Sequence, residues 1–304
     1  MLGRPAEPAP VPDGQAGGGK GGAPVGDLPG RIGRVLTAWR RDGLGGLADR
    51  LRLRVAFRAP GPWRLRLQGG RFSFAHRGEL YAYVETFVHH VYDRLPDFTP
   101  RAGWAVVDVG ANVGCFSAYA LYHMRSGVLC ALEPNPDAYD RLQALATGWR
   151  PRRPGLRLSL RRAAAGRVPG RAAFVVPAGA SVRGGLAGLG GESGGAPPPA
   201  PGGPPVRFDV DVLTLDDYLA GEGLAAVDLL KIDVEGAEVD VLAGAPRTLA
   251  HTGRVVLEWH GPQRLAAVRA ALEAQGFRTV HVAADPQDAG VGIAYFRRGA
   301  AEVG

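Results

Sequence analysis

The chain is nearly without lysine. Lys20 and Lys231 are the only two among 304 residues, and arginine carries almost all of the positive charge. With Ala and Gly so abundant, this preference reads as a GC-rich coding bias, and it weakens any step from a pI of 9.8 to a nucleic-acid partner. The arginines also lack the interleaved aromatics that would stack bases. Cysteine is as scarce: Cys115 and Cys130 are the full complement, both inside apolar stretches. That argues against a disulfide framework and suits a reducing cytoplasm. No apolar run approaches the roughly 20 residues needed to cross a bilayer, and the N-terminus lacks the apolar core of a signal peptide. A soluble cytoplasmic protein is the expectation.

What the chain does have is glycine and proline, 46 and 25 residues, gathered mainly in 1–30 and 179–205. Residues 1–30 read as a disordered tail. Residues 31–103 read as an N-terminal extension. In it, Arg31 to Arg58 forms a basic helix with Ile32, Val35, Leu36, Leu44, Leu47 and Leu51 as apolar points, interrupted by Gly43, Gly45 and Gly46. Such a helix packs against the main domain or touches an anionic membrane or acidic partner. Trp63-x-Leu65-x-Leu67 and Phe72-x-Phe74 alternate about Gly69-Gly70 and predict a hairpin. Leu80 to Leu95 predicts a helix; His89 and His90 read as a surface pair, and because adjacent helical positions do not share a face no metal role is expected of them.

From 104 to 298 strand and helix patterns alternate. Strands are predicted at 104–109, 128–132, 156–161, 227–232, 254–258, 277–282 and 292–297, and helices at 113–125, 136–147, 236–249 and 263–275. This predicts an α/β fold: a doubly wound, mainly parallel, Rossmann-like sheet of seven strands with the helix and hairpin as an extension. Extra strands at 171–176 and 206–212 flank the 179–205 insertion, a lid or a structureless loop.

The most informative stretch is Val107-Asp108-Val109-Gly110-Ala111-Asn112-Val113-Gly114. It reads as a buried strand entering a glycine turn and then a helix, whose free N–H groups suit a carboxylate-bearing ligand. The next strand ends in Glu133-Pro134-Asn135-Pro136, with Glu133 23 positions after Gly110, where α/β folds grip ribose hydroxyls. The glycines do not spell G-x-G-x-x-G, which disfavours a nucleotide-binding oxidoreductase. Asp108-x-Gly110-x-Asn112-x-Gly114 instead resembles the S-adenosylmethionine turn of class I methyltransferases.

A third segment, Asp228-Leu229-Leu230-Lys231-Ile232-Asp233-Val234-Glu235-Gly236-Ala237-Glu238, resembles the hallmark of the FkbM family of methyltransferases. Leu215-Asp216-Asp217-Tyr218-Leu219 and Leu257-Glu258-Trp259-His260 fit the same family, and the resemblance spans roughly residues 72–280. It implies methyl transfer from S-adenosylmethionine, usually to oxygen, with hydroxyls of polyketides and sugars as acceptors. It also implies cofactor contacts from Asp108, Gly110, Asn112, Gly114, Glu133, Pro134, Asn135 and Asp233, with Glu85 and Tyr92 from the entry helix lining the cleft.

Lys231 and Asp233 share a strand face, and with His260 they are the candidate catalytic residues. Asp233 is expected to accept from the cofactor's amino group or from the acceptor hydroxyl, and Glu235 to line the same edge. His260 is the candidate general base because its ordinary pKa lies near neutrality. Glu238 is equally explained by the dipole at a helix start. Asp233, Glu258 and His260 would suit Mg²⁺, yet nothing in the spacing demands a metal. The reading from another class is a non-catalytic scaffold that holds a partner through its arginine-rich front. Intact glycines, Glu133 and Asp233 speak against it.

Overall fold

The computed structural model describes residues 44–149, 155–177, 184–186, 204–286 and 288–299. The expectations for 1–43, and for most of 179–205, lie outside the described residues.

Residues 44–56 are helical (α1), despite Gly45 and Gly46. Leu53 and Ala56 are buried, and buried Asp49 accepts from the Gln68 backbone N–H at 2.5 Å and the Tyr83 hydroxyl at 2.9 Å. The hairpin follows as β1 (Trp63–Leu67) and β2 (Gly70–Phe74), in the register Trp63↔Phe74 to Leu67↔Gly70. Alternation places Trp63, Leu67, Phe72 and Phe74 on the buried face.

Helix α2 runs Arg77–Phe87, which corrects the expected span of Leu80 to Leu95. His90 takes φ 54°, and the Val88 and His89 N–H groups both return to the Val84 carbonyl, so the chain turns out of the helix there. The surface-pair reading of His89 and His90 falls with it. His89 is exposed, but His90 is buried with Nδ1 3.2 Å from Asp93 and within reach of Tyr119. The turn carries His90 inward to Asp93 and Tyr119.

The main sheet contains β3 (Ala105–Val109), β4 (Gly127–Leu132), β5 (Leu156–Arg161), β10 (Leu229–Ile232), β11 (Arg254–His260), β12 (Phe277–Ala284) and β13 (Val291–Arg298). Their order is β12-β13-β11-β10-β3-β4-β5, with β13 antiparallel to both neighbours and the other pairings parallel. The succession reverses between β3 and β10, which opens a crevice at their carboxyl ends. Alternate residues divide the core. Val106, Leu129, Leu229 and Val256 face the N-terminal layer and α3 (Cys115–His123), while Val107, Leu230, Val255 and Leu257 face the opposite helices. Each such side chain contributes about 1.5–3 kcal/mol by leaving water.

The remaining helices are α4 (Pro136–Thr147), α5 (Leu215–Gly221), α6 (Glu238–Ala243), α7 (Pro246–Ala250) and α8 (Pro262–Ala274). The single helix expected over 236–249 is therefore two. At Gly244 a Cβ would come within 2.0 Å of the Gly166 carbonyl, and Pro246 opens the second helix. Four short strands form a side sheet in the order β6-β9-β7-β8: β6 (Ala164–Ala165), β7 (Gly170–Val176), β8 (Gly185–Leu186) and β9 (Val206–Leu213). Part of the expected lid or loop is thus a strand, and its Leu186 is buried with Phe174, Val210 and Val212.

Candidate active site

The turn after β3 is held in left-handed backbone at Gly110 (φ 75°), Asn112 (φ 50°) and Gly114 (φ 89°). A Cβ at Gly110 would sit 1.7 Å from the Asp233 carbonyl oxygen, so only glycine lets this turn lie on the end of β10. Gly114 serves packing instead: its Cβ would strike Leu142 of α4 at 2.7 Å.

Lys231 sits beneath the turn. It is 3% exposed, and its Nζ donates to the Gly110 carbonyl at 2.8 Å and lies 3.1 Å from Asp108 and 3.4 Å from Asp233. Burial alone would lower its pKa, but Asp108 and Asp233 more than reverse that, and the ammonium stays charged. Asp108 is fully buried, bonded to the Ser117 hydroxyl at 2.7 Å and paired with Lys231. It supports the turn from below, whereas a cofactor contact was expected.

Glu133, at the tip of β4, accepts from the Asn112 N–H at 2.7 Å and the Asn135 N–H at 2.8 Å. It joins two loops with two of its lone pairs and keeps others for a ligand. Burial pushes its pKa up to about 7 against the lowering effect of those N–H groups. Asn135 caps α4 by accepting from the Asp137 N–H at 3.0 Å, so its side chain is spent on the helix start.

Two lobes of a cleft meet over this frame. A narrow one of about 60 Å³ runs past Glu133 and Pro134 to Ala164, Phe174 and Leu186. A wider one of about 490 Å³ is lined by Glu85, Tyr92, Lys231, Glu258 and Asp285. Gly110, Asn112, Asp233 and Glu235 border both. Asp233 Oδ2 receives the Tyr92 hydroxyl at 3.2 Å, bringing the entry region onto the motif strand. The wide lobe is rich in carboxyls. Burial, then Asp233 and Asp285, raises Glu85 to about 7; burial and Asp233 raise Glu258 to about 9, against the opposing pull of His260.

His260 is not the free base that its type suggested. Its Nδ1 is 2.7 Å from Glu238 and its Nε2 is 3.2 Å from Glu235, with Glu258 at 3.9 Å. Burial would lower its pKa, but Glu235 and Glu238 carry it up to about 11, so at neutral pH it is an imidazolium between carboxylates. Glu238 Oε1 also accepts from the Gly236 N–H at 2.9 Å, and Glu235 holds a left-handed φ of 49°. The clamp fixes a strained turn at the cleft edge.

The structure therefore brings Gly110, Asn112, Glu133, Pro134, Asp233 and Glu85 to the cleft. It sets Asp108, Gly114 and Asn135 behind the cleft as supports; Lys231 lines the wide lobe and His260 lies against the lining Glu235, both with their charges already engaged. Sequence reasoning missed Ala164, Phe174 and Leu186 in the narrow lobe and Asp285 in the wide one. The period-two run Ala172, Phe174, Val176 was the available signal for Phe174. Among the described residues no group of His, Cys, Asp or Glu is arranged to hold a metal ion, and no helix is long and apolar enough to cross a membrane.

Comparison with known proteins adds to this geometry. The profile described as methyltransferase FkbM domain matches residues 108–279. The chain is 30% identical to the methyltransferase sdnD of Sordaria araneosa over 224 residues, 65% of this chain and 81% of that protein. It is 32% identical over 257 residues to the 31-O-demethyl-FK506 methyltransferase FkbM of Streptomyces tacrolimicus, covering 74% of this chain and 92% of that one. A shorter match of 58 residues, 43% identical, is to the 2-O-methyltransferase NoeI of Sinorhizobium fredii, covering 18% of this chain and 24% of that protein.

Proposed function

The chain belongs to the FkbM family of S-adenosylmethionine-dependent methyltransferases, and on that premise we propose that it methylates a hydroxyl oxygen of a small acceptor: a sugar or glycan, a polyketide or another hydroxylated metabolite. The observation that carries this is the two-lobed cleft at the sheet's switch point, whose lobes share Gly110, Asn112, Asp233 and Glu235. The oxygen specificity draws on the two relatives named as O-methyltransferases.

The donor set fits the cofactor. Glu133 has lone pairs left for ribose hydroxyls, Phe174 and Leu186 offer an apolar slot for a base, and the carboxyls of the wide lobe suit positive charge. When bound, S-adenosylmethionine supplies an electrophilic methyl group on a sulfonium. The chain's own part is alignment and proton removal. Lys231 fixes the Gly110 carbonyl and Asp233 together, and Tyr92 fixes Asp233 from the other side. Both contacts fall on Asp233 Oδ2, and the residue borders both lobes, so its other oxygen is the one proposed to orient the acceptor hydroxyl and take its proton. His260 already carries its proton and acts by holding Glu235 and Glu238 in place.

The test is incubation with methyl-labelled S-adenosylmethionine and a panel of sugars, macrolide alcohols and amines, with products identified by mass. An O-methyl ether formed by wild type and not by Asp233→Asn is expected. Labelling confined to nitrogen would overturn the oxygen assignment, and full turnover by the variant would remove Asp233.

A further inference from the structure

We propose that α1 and the outer face of the β1–β2 hairpin form a docking surface for an anionic membrane. The charge of the chain is concentrated here. Residues 44–78 hold eight arginines against one acid, Asp49, while the other 269 residues hold 28 basic and 28 acidic residues. The whole formal charge of +7 thus belongs to this layer. A coding bias toward arginine does not explain why the acids are missing from this layer.

The second observation is apolar. Helix α1 is anchored by Leu53 and Ala56, each 3% exposed, yet Leu44, Leu51 and Val55 are 76%, 64% and 61% exposed. At about 100° per residue, Leu44, Ala48, Leu51 and Val55 fall within an arc of about 60°, on the side opposite Leu53. Arg52 and Arg54 lie roughly 70–90° to either side of that stripe. This is the cross-section of a helix lying in a headgroup layer, with its apolar ridge inserted and Arg54 open to phosphates on one flank, while Arg52 on the other pairs with Asp49 at 2.9 Å.

The hairpin extends the surface. Arg64, Arg66 and Arg71 are exposed on the face opposite the buried aromatics, and Arg66 lies directly across from Arg71. Like charges opposite one another destabilise a hairpin unless an anion lies between them. None of Arg54, Arg64, Arg66 and Arg71 has an ion-pair partner among the described residues. Arg66 and Arg71 also edge a cavity of about 570 Å³ with Tyr122 and Trp149, room for a headgroup. Charge alone would also suit an acidic protein, but an apolar ridge with arginines on either side is the pattern of a helix lying in a headgroup layer. A single-sign belt around an apolar ridge suits a fluid anionic surface instead.

Docking here bears on the reaction. Tyr81 is 56% exposed, packs on Phe57 beside the end of α1 at 4.8 Å between ring centroids, and lines the wide lobe. The lobe's rim therefore adjoins the docking surface, and a lipid-borne acceptor would meet it there; this last step rests on the methyl-transfer reading.

The test uses the full chain and vesicles of phosphatidylcholine with and without phosphatidylglycerol, read by co-sedimentation. Binding to the anionic vesicles, weakened by salt, is expected, with little binding to phosphatidylcholine alone. Leu51→Asp/Val55→Asp should reduce partitioning by at least about tenfold with an unchanged melting temperature, because neither residue serves the core. If that variant fails to fold, Arg66→Glu/Arg71→Glu carries the same test from the hairpin. Equal binding to both vesicle types, no binding to either, or unaltered partitioning of a folded variant would overturn the proposal. So would a wild-type dimer that ignores vesicles and is dispersed by the α1 substitutions, which would assign the stripe to a second copy. None of these readouts uses methyl transfer, so this proposal and the proposed activity fail separately.

Discussion

Acidifying the medium should loosen the grip on the ribose before it unfolds the protein. Glu133 is the reason. Burial lifts its carboxyl to about 7, well above an ordinary glutamate, even though two backbone N–H groups favour the ionised form. A ribose diol donates two hydrogen bonds and needs acceptors, so the binding-competent form is the carboxylate. With one group titrating near 7, affinity for a ribose-bearing ligand is flat above about pH 8 and falls about tenfold by pH 6. The cofactor itself is a poor probe of this, because its charges would also fall under the influence of Glu85 and Glu258 in the wide lobe. Methylthioadenosine keeps the adenine and ribose and lacks both the sulfonium and the amino-acid part, so its affinity isolates Glu133.

Glu133→Gln separates the carboxylate from its shape. The amide keeps one acceptor oxygen but turns an NH₂ toward one of the Asn112 and Asn135 N–H donors. Leaving that donor unpaired costs about 1–3 kcal/mol of stability, and losing the charged hydrogen bonds costs affinity on a similar scale, or about five- to a hundredfold. Calorimetry with methylthioadenosine between pH 5.5 and 8.5 should show a sloping profile for wild type and a flat, weaker one for the variant. A wild-type profile without slope, or equal affinity for both proteins, would refute the assignment of the narrow lobe to the nucleoside.

Four further outcomes follow from the same frame. The pKa of His260 is raised from 6.5 to about 11, so its stabilising contribution is complete below about pH 6.5 and is lost as pH climbs through 11. Thermal melts should therefore fall between pH 8 and 10 in wild type; His260→Ala should lack that slope and be about 3–5 kcal/mol less stable at pH 7, its carboxylates left unpaired. A turnover profile with a midpoint near 6.5 that vanishes in His260→Ala would restore the base role. Gly110→Ala should cost far more than Gly103→Ala: both need positive φ, worth about 1–2 kcal/mol, but only Gly110 also faces a carbonyl, whereas Gly103 has open space around its Cβ position. Equal melting temperatures for the two variants would contradict the close approach to Asp233. Leu186→Ala should weaken methylthioadenosine binding by about three- to tenfold through lost apolar contact, and unchanged affinity would remove β8 from the narrow lobe. Finally, S-adenosylmethionine should release close to one proton at pH 8, because its positive charge draws Glu258 down from about 9. Methylthioadenosine should release almost none, and a buffer-independent heat for both ligands would contradict this.

Most of the fold was legible because local pattern and global architecture agree. The seven strands of the main sheet announce themselves as apolar runs between glycine and proline signals, and their bounds lie within a residue or two of those expected, whereas β6 and β8 of the side sheet were not foreseen. What escaped depends on distance. His90 is buried because Asp93 and Tyr119 meet it, and no helical periodicity reports the positive φ that ends α2. Gly244 splits a helix because the backbone of residue 166 passes against it. The state of His260 is set by Glu235 and Glu238, more than twenty residues earlier, which approach it only when β10 and β11 lie side by side.

The motif segment from Lys231 to Glu238 shows why naming residue types was easier than assigning roles. Its four charged residues look alike as a candidate catalytic set, yet each answers a different electrostatic demand. Lys231 lines the wide lobe with its buried charge compensated by Asp108 and Asp233, and its Nζ donates to the Gly110 carbonyl of the glycine turn. Asp233 and Glu235 both border the two lobes, and Asp233 also receives the Tyr92 hydroxyl. Glu235 and Glu238 spend their charge on His260, which ties down the turn that holds Glu235 in left-handed backbone beside Asp233. Were the segment a nest of independent catalysts, each buried charge would have to find its own compensation. Paired in this way, Lys231, Glu235 and Glu238 brace the strand end and the turn around Asp233, which is why the proposed chemistry is assigned to that one carboxylate.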